Sequence, residues 1–189
     1  MLAKISKQFV IWQIARGTLK TEEQTIYQYA YEILLGQIIN IALAGVIAWL
    51  FNDVVTVLIF LLAYMPLRSF AGGLHADNHL SCSIISTVIL GMVCFFSDQM
   101  KAGYFIFWYP AFFAVSGLVI FRSAPVQDKN KPLDYLEIRK YGKISRILWL
   151  SETVAGICLY FTFYEQGAVL AICHGIIAIM LILGRIKNK

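Results

Sequence analysis

Residues 33–51 read ILLGQIINIALAGVIAWLF and residues 54–67 read VVTVLIFLLAYMPL, and neither stretch contains a charged residue. An apolar run of roughly 20 residues is long enough to cross the hydrocarbon core of a bilayer as an α-helix. Only Asn52 and Asp53 separate the two runs. This pattern predicts helices within a membrane, joined by a very short connection.

The whole chain has the composition of an integral membrane protein. Of its 189 residues, 59% are hydrophobic and 14% are charged, and its mean hydropathy is +0.70. Soluble domains carry roughly 25% charged residues. Four more apolar segments follow the first two, at residues 82–96, 104–121, 147–164 and 167–184. We therefore predict a single all-α domain over residues 1–189, a polytopic membrane helical bundle of about six transmembrane segments.

The second and third segments, 54–67 and 82–96, are shorter than the roughly 20 residues that a perpendicular span needs. They are equally compatible with two short spans and with a re-entrant pair. Charge does not decide between these alternatives, because removing two consecutive spans leaves the orientation of every other segment unchanged.

Residues 1–20 predict a helix that lies on the membrane surface. Apolar residues recur there every three to four positions with basic residues between them, at Leu2, Ile5, Phe9 and Trp12. The same interleaving breaks up the apolar core that a cleavable signal peptide needs. Insertion is therefore expected to rely on the later helices.

The basic residues are confined to the termini and to two connections, residues 68–82 and 122–146. A six-span arrangement puts all 16 lysines and arginines except Lys101 on one side of the membrane. Lysine and arginine resist translocation, so this asymmetry predicts that both termini lie in the cytoplasm. It also places connection 68–82, which contains the chemically most informative residues, near the cytoplasmic face.

Connection 68–82 reads RSFAGGLHADNHLSC and is the most polar part of the first half of the chain. Gly72 and Gly73 permit backbone conformations that are closed to other residues, either for a close approach to a substrate or for an ordinary tight loop. His75 and Cys82 suggest a base and a thiol nucleophile, because a protonated imidazole stabilises a thiolate and can then protonate a leaving amine. The sequence therefore predicts these two as catalytic residues.

This pairing requires a break in the helix. Seven residues of continuous helix would separate His75 from Cys82 by about 10.5 Å along the axis. A turn at Asp77-Asn78 would bring the imidazole within about 3 Å of the thiol. Asp77, Asn78 or Ser81 are candidates to orient the ring.

The same connection admits other interpretations. Arg68 is a candidate to bind a substrate carboxylate or backbone, and equally a positive anchor at a helix end. His75, His79 and Cys82 are residue types that suit zinc, but their spacing matches no zinc motif, so no metal is predicted. A polar loop beside an incidental cysteine is the simplest alternative.

The remaining cysteines and polar residues lie within apolar runs. Cys94, Cys158 and Cys173 are predicted to be small buried hydrophobes. Glu152 and His174 are expected to pair with each other or to line a path for substrate. Two amides one helical turn apart, Gln37 and Asn40, are candidates to join helices within one protomer or between two, so a homodimer is an open alternative.

Several motifs together resemble the accessory gene regulator B (AgrB) family of membrane peptidases, which process quorum-sensing propeptides in Gram-positive bacteria. They are RSFAGGLHA at residues 68–76, Cys82 seven residues after His75, APV at 124–126 and KP at 131–132, in a chain of the family's size. The resemblance spans most of the chain. The arginine, paired glycine, histidine and cysteine pattern is the specific part of it.

The resemblance implies a cysteine endopeptidase of the bacterial cytoplasmic membrane, with Cys82 as nucleophile and His75 as base. The substrate would be a small AgrD-like propeptide, cleaved on the C-terminal side of its future ring through a thioester at Cys82 and closed to a peptide thiolactone. The basic residues of 122–146 would attract an acidic tail of that propeptide, or would only fix topology and contact anionic lipid. No cofactor and no nucleic-acid partner are expected.

Two non-enzymatic hypotheses compete with this one. A small transporter or exporter of peptide would need no covalent chemistry and would keep its function when Cys82 is replaced by alanine. A membrane scaffold that binds partners through residues 122–146 would tolerate changes at both Cys82 and His75.

Overall fold

The structure is a computed structural model, and it describes residues 2–74, 79–100, 108–127 and 133–188. Within these ranges the chain folds into seven α-helices. One turn of 3-10 helix, Thr21–Glu23, lies directly before the second of them. The helices are α1 (Leu2–Ala15), α2 (Gln24–Leu50), α3 (Val54–Ala71), α4 (His79–Met100), α5 (Tyr109–Ser123), α6 (Tyr135–Thr162) and α7 (Tyr164–Lys187). The prediction of an all-α membrane bundle is confirmed.

Four stretches of helix among the described residues are long and apolar enough to cross a membrane: Thr21–Leu50, α3, α6 and α7. The apolar parts of α4 and α5, Ser81–Ser97 and Tyr109–Ser123, are shorter. The predicted bounds of the second segment, 54–67, ended the helix too early, because α3 continues through Arg68 to Ala71. Polar side chains in that last turn are satisfied locally, as when the hydroxyl of Ser69 donates to the carbonyl oxygen of Met65 at 2.7 Å.

The two predicted long connections are correspondingly shorter than 68–82 and 122–146. Arg122 lies in the last turn of α5, and α6 begins at Tyr135. A capping box starts α6 there, because Asp134 accepts from the backbone N–H of Tyr135 at 2.6 Å and Glu137 accepts from that of Asp134 at 3.1 Å. The basic residues from Arg139 onward are therefore helical.

The N-terminal helix α1 lies against the first turns of α2. Val10 is fully buried in this contact, Phe9 meets Tyr31 edge-on at 5.0 Å between ring centroids, and Gln13 donates to the Tyr31 hydroxyl at 2.9 Å. Trp12 stays half exposed with the guanidinium of Arg16 4.1 Å above its ring. The predicted helix is present, and most of its apolar stripe faces away from the bundle.

Helix α7 forms the centre of the bundle and packs against α3, α4, α5 and α6. Val169, Ile177 and Leu181 on it are fully buried. Cys173 and Cys94 are buried as predicted, whereas Cys158 is exposed, because α6 turns this residue to the outer face of the bundle. The central position of α7 matters for the site, since its C-terminal half contacts the segment that precedes His75.

Candidate active site

A cavity of about 340 Å³ lies between α2, α3 and α4, with one side closed by residues of the α3–α4 connection and α7. Most of its wall is apolar. The polar groups that reach it come from three helices, and they are the side chains of Gln37, Asn40, Tyr64, Arg68, Ser69, Cys82, Ser86 and Thr87. The cavity is large enough to receive one or two amino-acid side chains.

Cys82 lines this cavity and is exposed. Helix α4 begins at His79 as far as the structure describes the chain, so the thiol belongs to the N-terminal end of that helix. The thiol is therefore accessible from the cavity.

Arg68, in the last turn of α3, binds the chain's own backbone. Its Nη1 donates to the carbonyl oxygen of Gly72 and its Nη2 donates to that of Leu74. Tyr64, one helical turn earlier, lines the same cavity as Arg68 and Cys82. The rigid fork of an arginine presents its N–H groups in a fixed geometry that suits two carbonyls at once, whereas the donors of a lysine rotate on a flexible chain.

We call Gly72, Gly73 and Leu74 the strap, because these three residues leave α3 and run across the end of the bundle. Gly72 and Gly73 have φ angles of +74° and +119°, a region that side chains disfavour. A Cβ on Gly72 would collide with the backbone carbonyl of Val126, and the N–H of Val126 donates to the carbonyl oxygen of Ala71 at 2.9 Å. The predicted special backbone at the paired glycines is confirmed.

The strap is also bound to α7. The N–H of Leu74 donates to the carbonyl oxygen of Met180 at 2.8 Å, and Gly184 packs directly beneath the backbone of Gly73. Leu74 and Met180 both line the cavity that contains Cys82. The strap therefore ends in the wall of this cavity, and His75 is the next residue in the sequence.

The predicted partners of Cys82 lie outside the described residues. These are His75 and two of the three residues predicted to orient its ring, Asp77 and Asn78. The third, Ser81, lies in α4, and of His79 only the backbone is described. The contact between imidazole and thiol stays a prediction, and so does the helix break at Asp77-Asn78, although α3 ends at Ala71 and the strap is not helical. The zinc alternative depends on the same histidines and is equally untested.

Some residues of the site were not anticipated from the sequence. Tyr64 precedes Arg68 by four positions, and this helical spacing was available as a signal. Met180 and Gly184 lie in the last helix, and nothing in their sequence context pointed to a contact with the strap. Gln37 and Asn40 line the cavity, where the Oδ1 atom of Asn40 is buried without a hydrogen-bond partner among the described residues. Their role in joining helices, within one protomer or between two, stays a prediction.

The second ionisable pair is separate from the cavity. Nε2 of His174 on α7 lies 2.8 Å from Oε2 of Glu152 on α6, which confirms the predicted pairing. The His174 ring is fully buried and meets Phe113 edge-on at 5.3 Å. A path for substrate is not indicated here, since the pair is enclosed by packed aromatic rings, with Trp149 on its other side.

These features define a polytopic helical membrane protein with an accessible thiol at a cavity between helices. The family model of accessory gene regulator B matches residues 3–183, and the chain belongs to this family. This family takes part in accessory gene regulation.

Curated relatives agree with this assignment. The chain is 27% identical to a putative AgrB-like protein 2 of Clostridium perfringens over 180 residues, which cover 90% of this chain and 83% of the relative. It is 28% identical to another putative AgrB-like protein of C. perfringens over 74% of this chain and 70% of the relative. It is 24% identical to accessory gene regulator protein B of Staphylococcus aureus over 87% of each chain. No solved structure matches it significantly.

Proposed function

We propose that this protein is a membrane cysteine endopeptidase that cleaves a quorum-sensing propeptide and closes it to a peptide thiolactone. The observation that carries the proposal is the accessible Cys82 thiol in the wall of a cavity that Leu74, the residue before His75, also lines. Membership of the accessory gene regulator B family supports it. Relatives named for the same family cover most of the chain, so the proposal concerns the whole protein.

In the first step the Cys82 thiolate attacks the carbonyl carbon of the bond at the C-terminal end of the future ring. The C–N bond breaks, the imidazolium of His75 gives its proton to the leaving amine, and the N-terminal part of the propeptide remains as an acyl-thioester on Cys82. Arg68 is proposed to support the strap, and Gly72 and Gly73 allow the strap its backbone conformation.

In the second step a thiol within the bound peptide attacks the thioester carbonyl. His75 takes the proton of that thiol, a new thioester closes the ring, and the Cys82 thiolate leaves. One thioester replaces another, so this exchange is nearly thermoneutral and requires no ATP. The apolar wall of the cavity would keep out water, whose attack on the thioester would give a linear product instead.

The substrate is proposed to be a small AgrD-like peptide with an acidic tail. The first turns of α6 offer a basic surface for such a tail, formed by the exposed side chains of Arg139, Lys140 and Lys143. Tyr141 between them meets Phe70 of α3 edge-on at 5.7 Å, so this basic surface lies at the same end of the bundle as the strap. By the positive-inside rule, that end faces the cytoplasm of a bacterial cell, together with both termini.

The proposal is tested by co-expressing the chain with its candidate propeptide and following release of the C-terminal fragment by mass spectrometry. Cys82→Ala and His75→Ala should both abolish release. The matched control is Cys158→Ala, which removes an exposed thiol on the outer face of α6 and should leave release unchanged. Release at the native rate by the Cys82→Ala protein would overturn the proposal and favour a peptide transporter without covalent chemistry.

A further inference from the structure

The C-terminal half of α7 presents bare backbone to the strap. The carbonyl oxygen of Met180 accepts the N–H of Leu74 at 2.8 Å, and one helical turn later Gly184 has no side chain to separate α7 from the strap. Glycine is unfavourable within a helix compared with alanine, so a buried glycine at this position calls for a packing reason. The packing reason here is the approach of Gly73 and Leu74.

The space at Gly184 leaves no room for a methyl group. A Cβ there would lie 2.8 Å from Cα of Gly73 and 2.5 Å from the backbone nitrogen of Leu74, with the carbonyl carbon of Gly73 nearer still. All three contacts are with backbone atoms, which cannot rotate away as a side chain does. The strap would have to withdraw by about 1 Å to restore ordinary van der Waals contact.

Such a displacement bears on His75 through the chain itself. Leu74 is bonded to His75, and consecutive Cα atoms are held 3.8 Å apart, so the strap fixes the point from which His75 starts. Leu74 and Met180 line the same cavity as Cys82. A shift of the strap on α7 would therefore move Leu74 in the wall of this cavity, and with it the point from which the chain continues to His75.

We propose that Gly184 and the carbonyl of Met180 form a backbone dock on α7 that holds Leu74 in the wall of the cavity that Cys82 lines, and so sets the point from which the chain continues to the predicted base His75. Gly184 is then a positioning residue for the peptidase reaction, distant from the catalytic pair in sequence and acting through the strap. This inference rests on the proposed function for its catalytic part. The dock itself consists of described contacts that are measurable without any substrate.

The dock is tested by hydrogen exchange in lipid nanodiscs, with resolution of the Leu74 amide, on the native chain, Gly184→Ala and Gly45→Ala. Gly45 is a matched control because it also lies in a membrane helix but has open space around its Cα. Exchange at Leu74 should be slow in the native chain and in Gly45→Ala and at least about 10-fold faster in Gly184→Ala, with unchanged protection elsewhere in α7. Equal protection of Leu74 in all three proteins would overturn the dock.

The catalytic part is tested by single-turnover acylation of Cys82 with the propeptide. A 1 Å misplacement of a catalytic group can slow a reaction roughly 100-fold, so Gly184→Ala should reduce the maximal acylation rate by about that factor and change the half-saturating propeptide concentration less than about 3-fold. Leu74→Pro, which removes the donor without adding bulk to α7, should also slow acylation. A native acylation rate in Gly184→Ala would overturn the positioning role, and a raised half-saturating concentration at an unchanged maximal rate would do the same. Failure of the native chain to acylate would overturn both the proposed function and the positioning role of Gly184. The hydrogen-exchange experiment would still test whether the strap is bound at Met180 and Gly184.

Discussion

Replacing Arg68 should slow the chemical step rather than weaken substrate binding. The guanidinium makes two charge-assisted hydrogen bonds to the strap, at the carbonyls of Gly72 and Leu74. Bonds of this kind contribute about 1.5–3 kcal/mol each when well shielded, and Arg68 is half buried, so water can replace part of them. We estimate a net loss of roughly 2–3 kcal/mol for Arg68→Ala, which corresponds to a decrease of roughly 30- to 150-fold in rate.

The assay is single-turnover acylation of Cys82 in nanodiscs at varied propeptide concentration. Arg68→Lys should recover only part of the rate, because the compact ammonium group lacks the planar fork whose two ends reach the two carbonyls. Added methylguanidinium should partly restore Arg68→Ala. The control is Arg146→Lys, since Arg146 is exposed and donates one bond to the carbonyl oxygen of Phe121 at 3.1 Å, away from the strap.

The kinetic parameter that changes distinguishes support of the strap from direct contact with substrate. A lower maximal acylation rate at an unchanged half-saturating concentration is the result expected from a displaced strap. A higher half-saturating concentration at an unchanged maximal rate would contradict support of the strap and show that Arg68 binds the propeptide itself.

Three other substitutions follow from the same structure. Gly72→Ala should lower acylation at least as much as Arg68→Ala, measured in the same assay, because its φ of +74° and the carbonyl of Val126 both oppose a Cβ. Glu152→Leu should lower the free energy of unfolding by about 3 kcal/mol in a detergent-denaturation series, because it leaves His174 buried without its partner. Adding His174→Phe should recover part of that loss, since both polar partners are then removed. Losses that simply add in the double variant would contradict this. Asn40→Leu should raise the half-saturating propeptide concentration about 10-fold by removing a polar group from the cavity wall, and no change would exclude Asn40 from substrate binding.

The fold was largely predictable because the bilayer restricts the solutions. A backbone in hydrocarbon must satisfy its own hydrogen bonds, so apolar runs such as 33–51 become helices. The ends of helices were less predictable. Arg68 looked like part of a loop because it is charged, and the structure keeps it in α3, where its guanidinium reaches the backbone carbonyls that follow the helix.

The site was predictable only where its residues are close in sequence. Gly72, Gly73 and Cys82 stood out because they lie in residues 68–82, the most polar stretch of the first half of the chain. The contribution of α7 depends on tertiary packing over more than half of the chain, and a glycine in an apolar helix carries no sign of its partner. Pairing of Glu152 with His174 was predictable for a physical reason, because an ionisable group within a membrane requires a partner.

The most direct test of the proposed mechanism is intact-mass spectrometry of the chain rapidly quenched in acid after mixing with the propeptide. We expect a covalent adduct on Cys82 with the mass of the N-terminal part of the propeptide. Hydroxylamine should remove it, and it should be lacking in Cys82→Ala but still form in Cys158→Ala. Release of the C-terminal fragment without any such adduct, or an adduct that persists in Cys82→Ala, would contradict an acyl-thioester at this cysteine.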